Sequence, residues 1–212
     1  MELPDSQYVK TDDGAYIAYQ VVGDGPVDIA WQFDFFGNID TVWDGSYDTV
    51  WFEGLASFAR LILHDRRATG LSSRNVAVPN LETRAADLRA VLDAANSDQV
   101  VCGAWFESLA PCVLLAATDP DRVRGLLWDD PFPRITKSLS FPWGLDDAAV
   151  AGERELLAHW GTTEYGRGWA DLTAEMGGGV RPPDDEVRHI VRQTRNTCTP
   201  DVAVELTEIW WD

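Results

Sequence analysis

The stretch 99–117, QVVCGAWFESLAPCVLLAA, constrains this chain more than any other. An apolar run, Val100, Val101 and Cys102, passes through a tight segment into an Ala-rich run carrying Leu109, Val113, Leu114 and Ala117. That pattern reads as strand, sharp turn, helix. The alternation continues upstream. Strands are predicted at 8–11, 15–22 and 27–31, then a helix at 47–58 with apolar Val50, Trp51, Leu55 and Phe58, then a buried-type strand at Arg60–His64. The clearest helix is 80–95: Leu81, Ala85, Leu88, Val91 and Leu92 form one stripe, and Asp87, Arg89 and Asp93 occupy the rest. A strand at 123–128 follows the central unit. Strands and helices alternating at this pace predict an α/β protein with a mostly parallel sheet of about six strands covered on both faces.

After residue 130 the texture changes. Pro131-Phe132-Pro133 and Phe141-Pro142-Trp143-Gly144 break the pattern, and beyond them only helices are predicted, at 147–160, 166–176, 184–194 and 200–211. Thr199 is a capping residue for the last of these and Pro200 suits its first turn. Val202, Leu206, Ile209 and Trp210 share one of its sides. The expected organisation is a core domain, 1–130, and a helical region, 131–212.

The charge narrows the partners. Seventeen basic against 35 acidic residues give a formal net charge of -18, which repels phosphate backbones and anionic lipid, so neither nucleic acid nor membrane is expected as a partner. Cys102, Cys112 and Cys198 are odd in number and lack metal-ligand spacing, so no disulfide framework, metal or other cofactor is expected. The N-terminal residues show no basic region followed by an apolar one, and a cytoplasmic protein is expected.

Several segments resemble the α/β-hydrolase domains found fused to class III adenylate/guanylate cyclases or to transcriptional regulators. The likeness rests on Leu63-His64-Asp65-Arg66-Arg67-Ala68-Thr69-Gly70-Leu71-Ser72, which is similar to that family's F-D-K-R-G-T-G-L-S turn. It rests also on residues 81–91 and 116–123, on Phe141-Pro142-Trp143-Gly144, and on His159-Trp160-Gly161-Thr162. The resemblance implies an α/β-hydrolase-like fold with a C-terminal helical cap and with the last two strands absent. It also implies a nucleophile in a G-x-S-x-G elbow, followed in the chain by an acid and a histidine.

Here the departures are informative. The family's G-x-S-E-G-G falls on Ala104, Trp105, Phe106, Glu107, Ser108 and Leu109, so only Glu107 is retained. A phenyl ring cannot lose a proton or form an acyl intermediate, which makes Phe106 a vestigial nucleophile position. Upstream, Phe33-Asp34 replaces the family's P-G turn, the source of an oxyanion-hole amide. Weak catalytic candidates remain in Ser108, whose hydroxyl is also a natural helix cap, and in Asp129 and Asp130, which also suit the turn before Pro131. His64 ends a strand, while His159 and His189 fall in the helical region.

Three functions compete. The first is a pseudo-hydrolase, a non-catalytic protein holding a small apolar ligand or a protein partner. Its binding residues would be Phe33, Phe35, Phe36, Trp105, Phe106 and Glu107, at the carboxyl ends of strands where such folds keep their pocket. The competing reading of these rings is that they fill the abandoned site as core. The second is a hydrolase of small esters or lactones with a rearranged site built on Ser108. The third is a regulatory module whose incomplete sheet is finished by another subunit. A homo-oligomer or protein partner would dock at the edge strand 123–128 or at the C-terminal Trp210 and Trp211.

Overall fold

The computed structural model describes residues 4–34, 36–44, 47–129, 135–176 and 179–211. The chain divides into two compact units, residues 1–133 and 134–212.

The first unit is built on one sheet: β1 (Gln7–Lys10), β2 (Tyr16–Val22), β3 (Asp28–Gln32), β4 (Arg60–His64), β5 (Val100–Trp105) and β6 (Val123–Asp129). Their order across the sheet is β1-β2-β4-β3-β5-β6. The β1–β2 and β2–β4 pairs are antiparallel, and the β4–β3, β3–β5 and β5–β6 pairs are parallel. Three helices cross over between the parallel strands: α1 (Tyr47–Ala56), α2 (Leu81–Ala94) and α3 (Ala110–Thr118). Neighbouring residues of one strand therefore serve opposite faces, as the pleat requires. Ile17, Tyr19, Ala30, Ile62, Cys102 and Ala104 pack with Leu88, Val91 and Leu92 of α2 and Cys112 and Leu115 of α3. Ala18, Ile29, Trp31, Leu61 and Leu63 pack on the other face with Phe33, Ile39, Val42 and Phe52 of α1.

Several local expectations are corrected. Helix α1 ends at Ala56, and the amides of Ser57, Phe58 and Ala59 bond back to Glu53, Gly54 and Leu55 to turn the chain into β4. Its buried ring is Phe52, while Val50 and Phe58 are exposed, so the stripe lies one residue round from the expected one. In α3, Cys112 and Leu115 are buried, while Val113 of the apolar run faces out. Helix α2 begins at Leu81 rather than 80, and Asn80 caps it, accepting from the Thr83 amide at 2.9 Å. Asp87, expected among the exposed residues, is buried because Arg67 reaches it with two bonds, at 2.7 and 2.8 Å. The same Arg67 guanidinium holds Asp13 at 2.8 Å and thereby ties the β1–β2 turn to α2.

The second unit consists of α4 (Asp147–Leu157), α5 (Thr163–Met176), α6 (Asp184–Thr197) and α7 (Pro200–Trp211), with α5 against α6 and α4 against α7. Gly166 lets α5 approach α6, since a Cβ there would stand 2.7 Å from Val191. Helix α4 stops at Leu157 rather than 160, and the Trp160 indole donates to the Cys198 carbonyl at 3.0 Å. The side chains of Trp210 and Trp211 lie outside the described residues. No described helix is long and apolar enough to cross a membrane.

Candidate functional site

The central stretch does fold as strand, elbow and helix. β5 runs between β3 and β6, a 3₁₀ turn spans Phe106–Leu109, and α3 begins at Ala110. Phe106 sits at φ 51°, the left-handed region that non-glycine residues adopt at a cost of about 1–2 kcal/mol. The bend is thus kept although its side chain carries no reacting atom. Two neighbours support it. The Trp128 indole donates to the Phe106 carbonyl. The Trp105 indole donates to Asp129 at 3.2 Å, directly across the β5–β6 pair.

Beneath the elbow lies a charged cluster. Glu107 receives Arg66 at 2.7 Å and Arg84 at 2.9 Å, and all three side chains are almost wholly buried. Burial alone would raise the Glu107 pKa, but the two guanidiniums outweigh it and hold the carboxyl at about 2. It is therefore ionised at neutral pH and unfit to deliver a proton. Ser108 has no exposed surface, and its hydroxyl accepts from Arg66 at 2.9 Å. This corrects the capping role expected of it, since no side chain caps either the 3₁₀ turn or α3.

The upstream loop is equally committed. Asp34 accepts from the Phe36 and Gly37 amides at 2.9 and 3.1 Å, which engages these two loop donors. Burial pushes the Asp34 carboxyl up to about 6. Asp65, fully buried, accepts from the Ile39 and Leu71 amides at 2.8 and 2.7 Å and is pushed up to about 7, again by burial. His64 faces Gln32 at 3.5 Å, and burial together with Arg66 and Arg84 lowers its pKa to about 4, so the ring is neutral.

The aromatic candidates divide by exposure. Phe33 and Phe36 are buried, at 1% and 7%, whereas Trp105 and Phe106 are partly exposed. Trp105 packs edge-on against Trp31 and Phe52, with centroids 4.9 and 5.5 Å apart. Phe33 meets Phe52 at 5.5 Å. Gly103 makes this possible, because a Cβ there would overlap the Trp31 ring. Phe35 and Asp130 fall outside the described residues. His159 and His189 belong to the second unit, where His159 contacts Glu164 at 3.2 Å. Among the described residues no group of three or more His, Cys, Asp or Glu is arranged to hold a metal.

Arg66 and Arg84 were not singled out from the sequence, although one signal was legible. Arg84 stands four residues before Leu88 and seven before Val91, on the apolar stripe of α2, where an arginine needs a buried partner.

No protein-family model matches the sequence, and no curated protein matches it. Solved structures do match. A bromoperoxidase from Bacillus anthracis superposes over 98% of this chain and 75% of its own, with a TM-score of 0.74 at 17% identity. An esterase from Exiguobacterium antarcticum matches over 98% of this chain and 74% of its own, with a TM-score of 0.74 at 14% identity. An esterase from Rhodococcus sp. ECU1013 matches over 95% and 72%, with a TM-score of 0.70 at 18% identity. The chain has the α/β-hydrolase fold. In this chain the bend leaving the central strand carries Phe106.

Proposed function

We propose that this chain is a pseudo-hydrolase, a non-catalytic protein of the α/β-hydrolase fold that holds a small apolar ligand or a protein partner. The binding residues are Phe33, Phe35, Phe36, Trp105, Phe106 and Glu107. One observation carries the reading: the elbow keeps its left-handed backbone at residue 106 while its side chain is a phenyl group that cannot attack a carbonyl. The surroundings agree. Glu107 is spent on two arginines, Ser108 is buried under Arg66, and the loop amides are spent on Asp34. The partly exposed Trp105 and Phe106 supply apolar contact area, and Trp31 and Phe52 pack behind Trp105.

Activity toward a panel of p-nitrophenyl esters and N-acyl lactones tests this. No turnover above the buffer blank is expected, and a hydrophobic reporter dye is expected to lose affinity in Trp105→Ala. Ester or lactone turnover that disappears in Ser108→Ala would overturn the proposal and establish the rearranged hydrolase in its place.

A further inference from the structure

Strand β6 closes one side of the sheet and pairs only with β5 among the described residues. Natural sheets blunt such an edge with lysine, proline or a helix. This edge carries the reverse: Leu126, Leu127 and Trp128 are 41%, 44% and 37% exposed. As successive residues of one strand they present apolar surface on both faces. The ladder also has a defined length. Val100 pairs with Val123 and Val101 with Gly125, so Arg124 is the extra residue of a bulge, and regular backbone runs over 125–129.

We infer that β6 pairs antiparallel with β6 of a second copy of this chain, with Leu127 opposite its own counterpart. A two-fold axis perpendicular to a sheet allows only registers in which one residue faces itself, and centring on Leu127 overlaps the whole regular segment. Leu126 of each copy then lies opposite Trp128 of the other, and Leu127 opposite Leu127. Every exposed apolar side chain of the edge gains an apolar neighbour, a cross-strand arrangement that stabilises sheets. Charge selects the same direction. Arg124, which makes no ion pair among the described residues, immediately precedes the segment and Asp129 ends it. Antiparallel pairing brings each arginine toward the acidic end of the other copy, whereas parallel pairing would set like against like. A single strand pair is a small interface, so the dimer is weak and in concentration-dependent exchange. Two chains of charge -18 repel, so added salt tightens it. The inference rests on the sheet edge and is independent of whether the elbow is catalytic.

Sedimentation velocity on the 212-residue chain over roughly 1–500 µM, at low and high salt, is the first measurement. A monomer–dimer equilibrium strengthened by salt is expected. Leu127→Lys sets two ammonium groups face to face and weakens the dimer at least tenfold with an unchanged far-UV spectrum. Leu127→Cys reports the register, because directly opposed residues stand about 5 Å apart at Cβ, within disulfide reach after small adjustment. Under mild diamide oxidation it forms a reducible dimer, while Leu126→Cys and the wild type, whose three cysteines are buried, do not. A monomer throughout the range, a dimer that survives Leu127→Lys, or equal crosslinking of the Leu126 and Leu127 cysteines would overturn the inference.

Discussion

Replacing Glu107 by glutamine removes the one anion that Arg66 and Arg84 share beneath the elbow. All three side chains are at most 11% exposed, so solvent does little to screen the change. Folding moves this carboxyl from its ordinary 4.5 to about 2, although burial acts in the opposite direction. That difference corresponds to about 3 kcal/mol of folding stability at pH 7. It agrees with the cost of about 3–5 kcal/mol for stripping one partner from a buried ion pair. The sign follows from the lowered pKa. The contribution is complete above the unfolded value and is lost as pH falls from about 4.5 through about 2, so at pH 3 about half remains. Urea denaturation of wild type and Glu107→Gln, followed by far-UV circular dichroism at pH 7 and pH 3, measures both figures. A cost below about 0.5 kcal/mol at pH 7, or an equal cost at both pH values, would refute the assignment of Glu107 as the anchor of this cluster.

Asp65 provides a titration with the opposite sign. Burial raises its pKa to about 7, so its contribution to folding is complete below the unfolded value of 3.8 and is lost as pH rises through about 7; carbon-detected NMR of the side-chain carboxyl should show that midpoint. Asp65→Asn places an amide nitrogen against one of the backbone amides it now accepts from, and a loss of about 1–3 kcal/mol in chemical denaturation is expected. Gly103→Ala pushes a methyl group into the Trp31 ring in the middle of the sheet and should lower stability by about 1–3 kcal/mol, read as a lower urea midpoint. A wild-type midpoint in that variant would show that the Trp31 and Trp105 packing is looser than the ring distances indicate.

Much of the architecture was legible because short-range pattern controls it. The runs 61–63 and 100–102 are apolar throughout, as strands buried on both faces must be, and both lie in inner strands of the sheet. The apolar stripe of Leu81, Ala85, Leu88, Val91 and Leu92 announced α2 to within one residue at either end. The stripe of α1 was less legible, because Val50, Trp51, Phe52, Leu55 and Phe58 offer apolar residues in nearly every direction. Only the turn at Ser57 and the shape of the facing sheet chose Phe52.

By itself, the order of residues determined that the bend after the central strand carries a phenyl group in place of a hydroxyl, and that the strand at 123–128 is rich in exposed-capable leucine and tryptophan. What that bend rests on was decided in three dimensions. Arg66 leaves β4 and Arg84 lies on α2, 41 and 23 residues from Glu107 in the chain, and their meeting depends on how β4, α2 and β5 stack. Charges so far apart in sequence have no periodicity that announces them. Burial then converts the meeting into a locked, ionised carboxylate, because a low-dielectric interior admits a charge only with its partners in place.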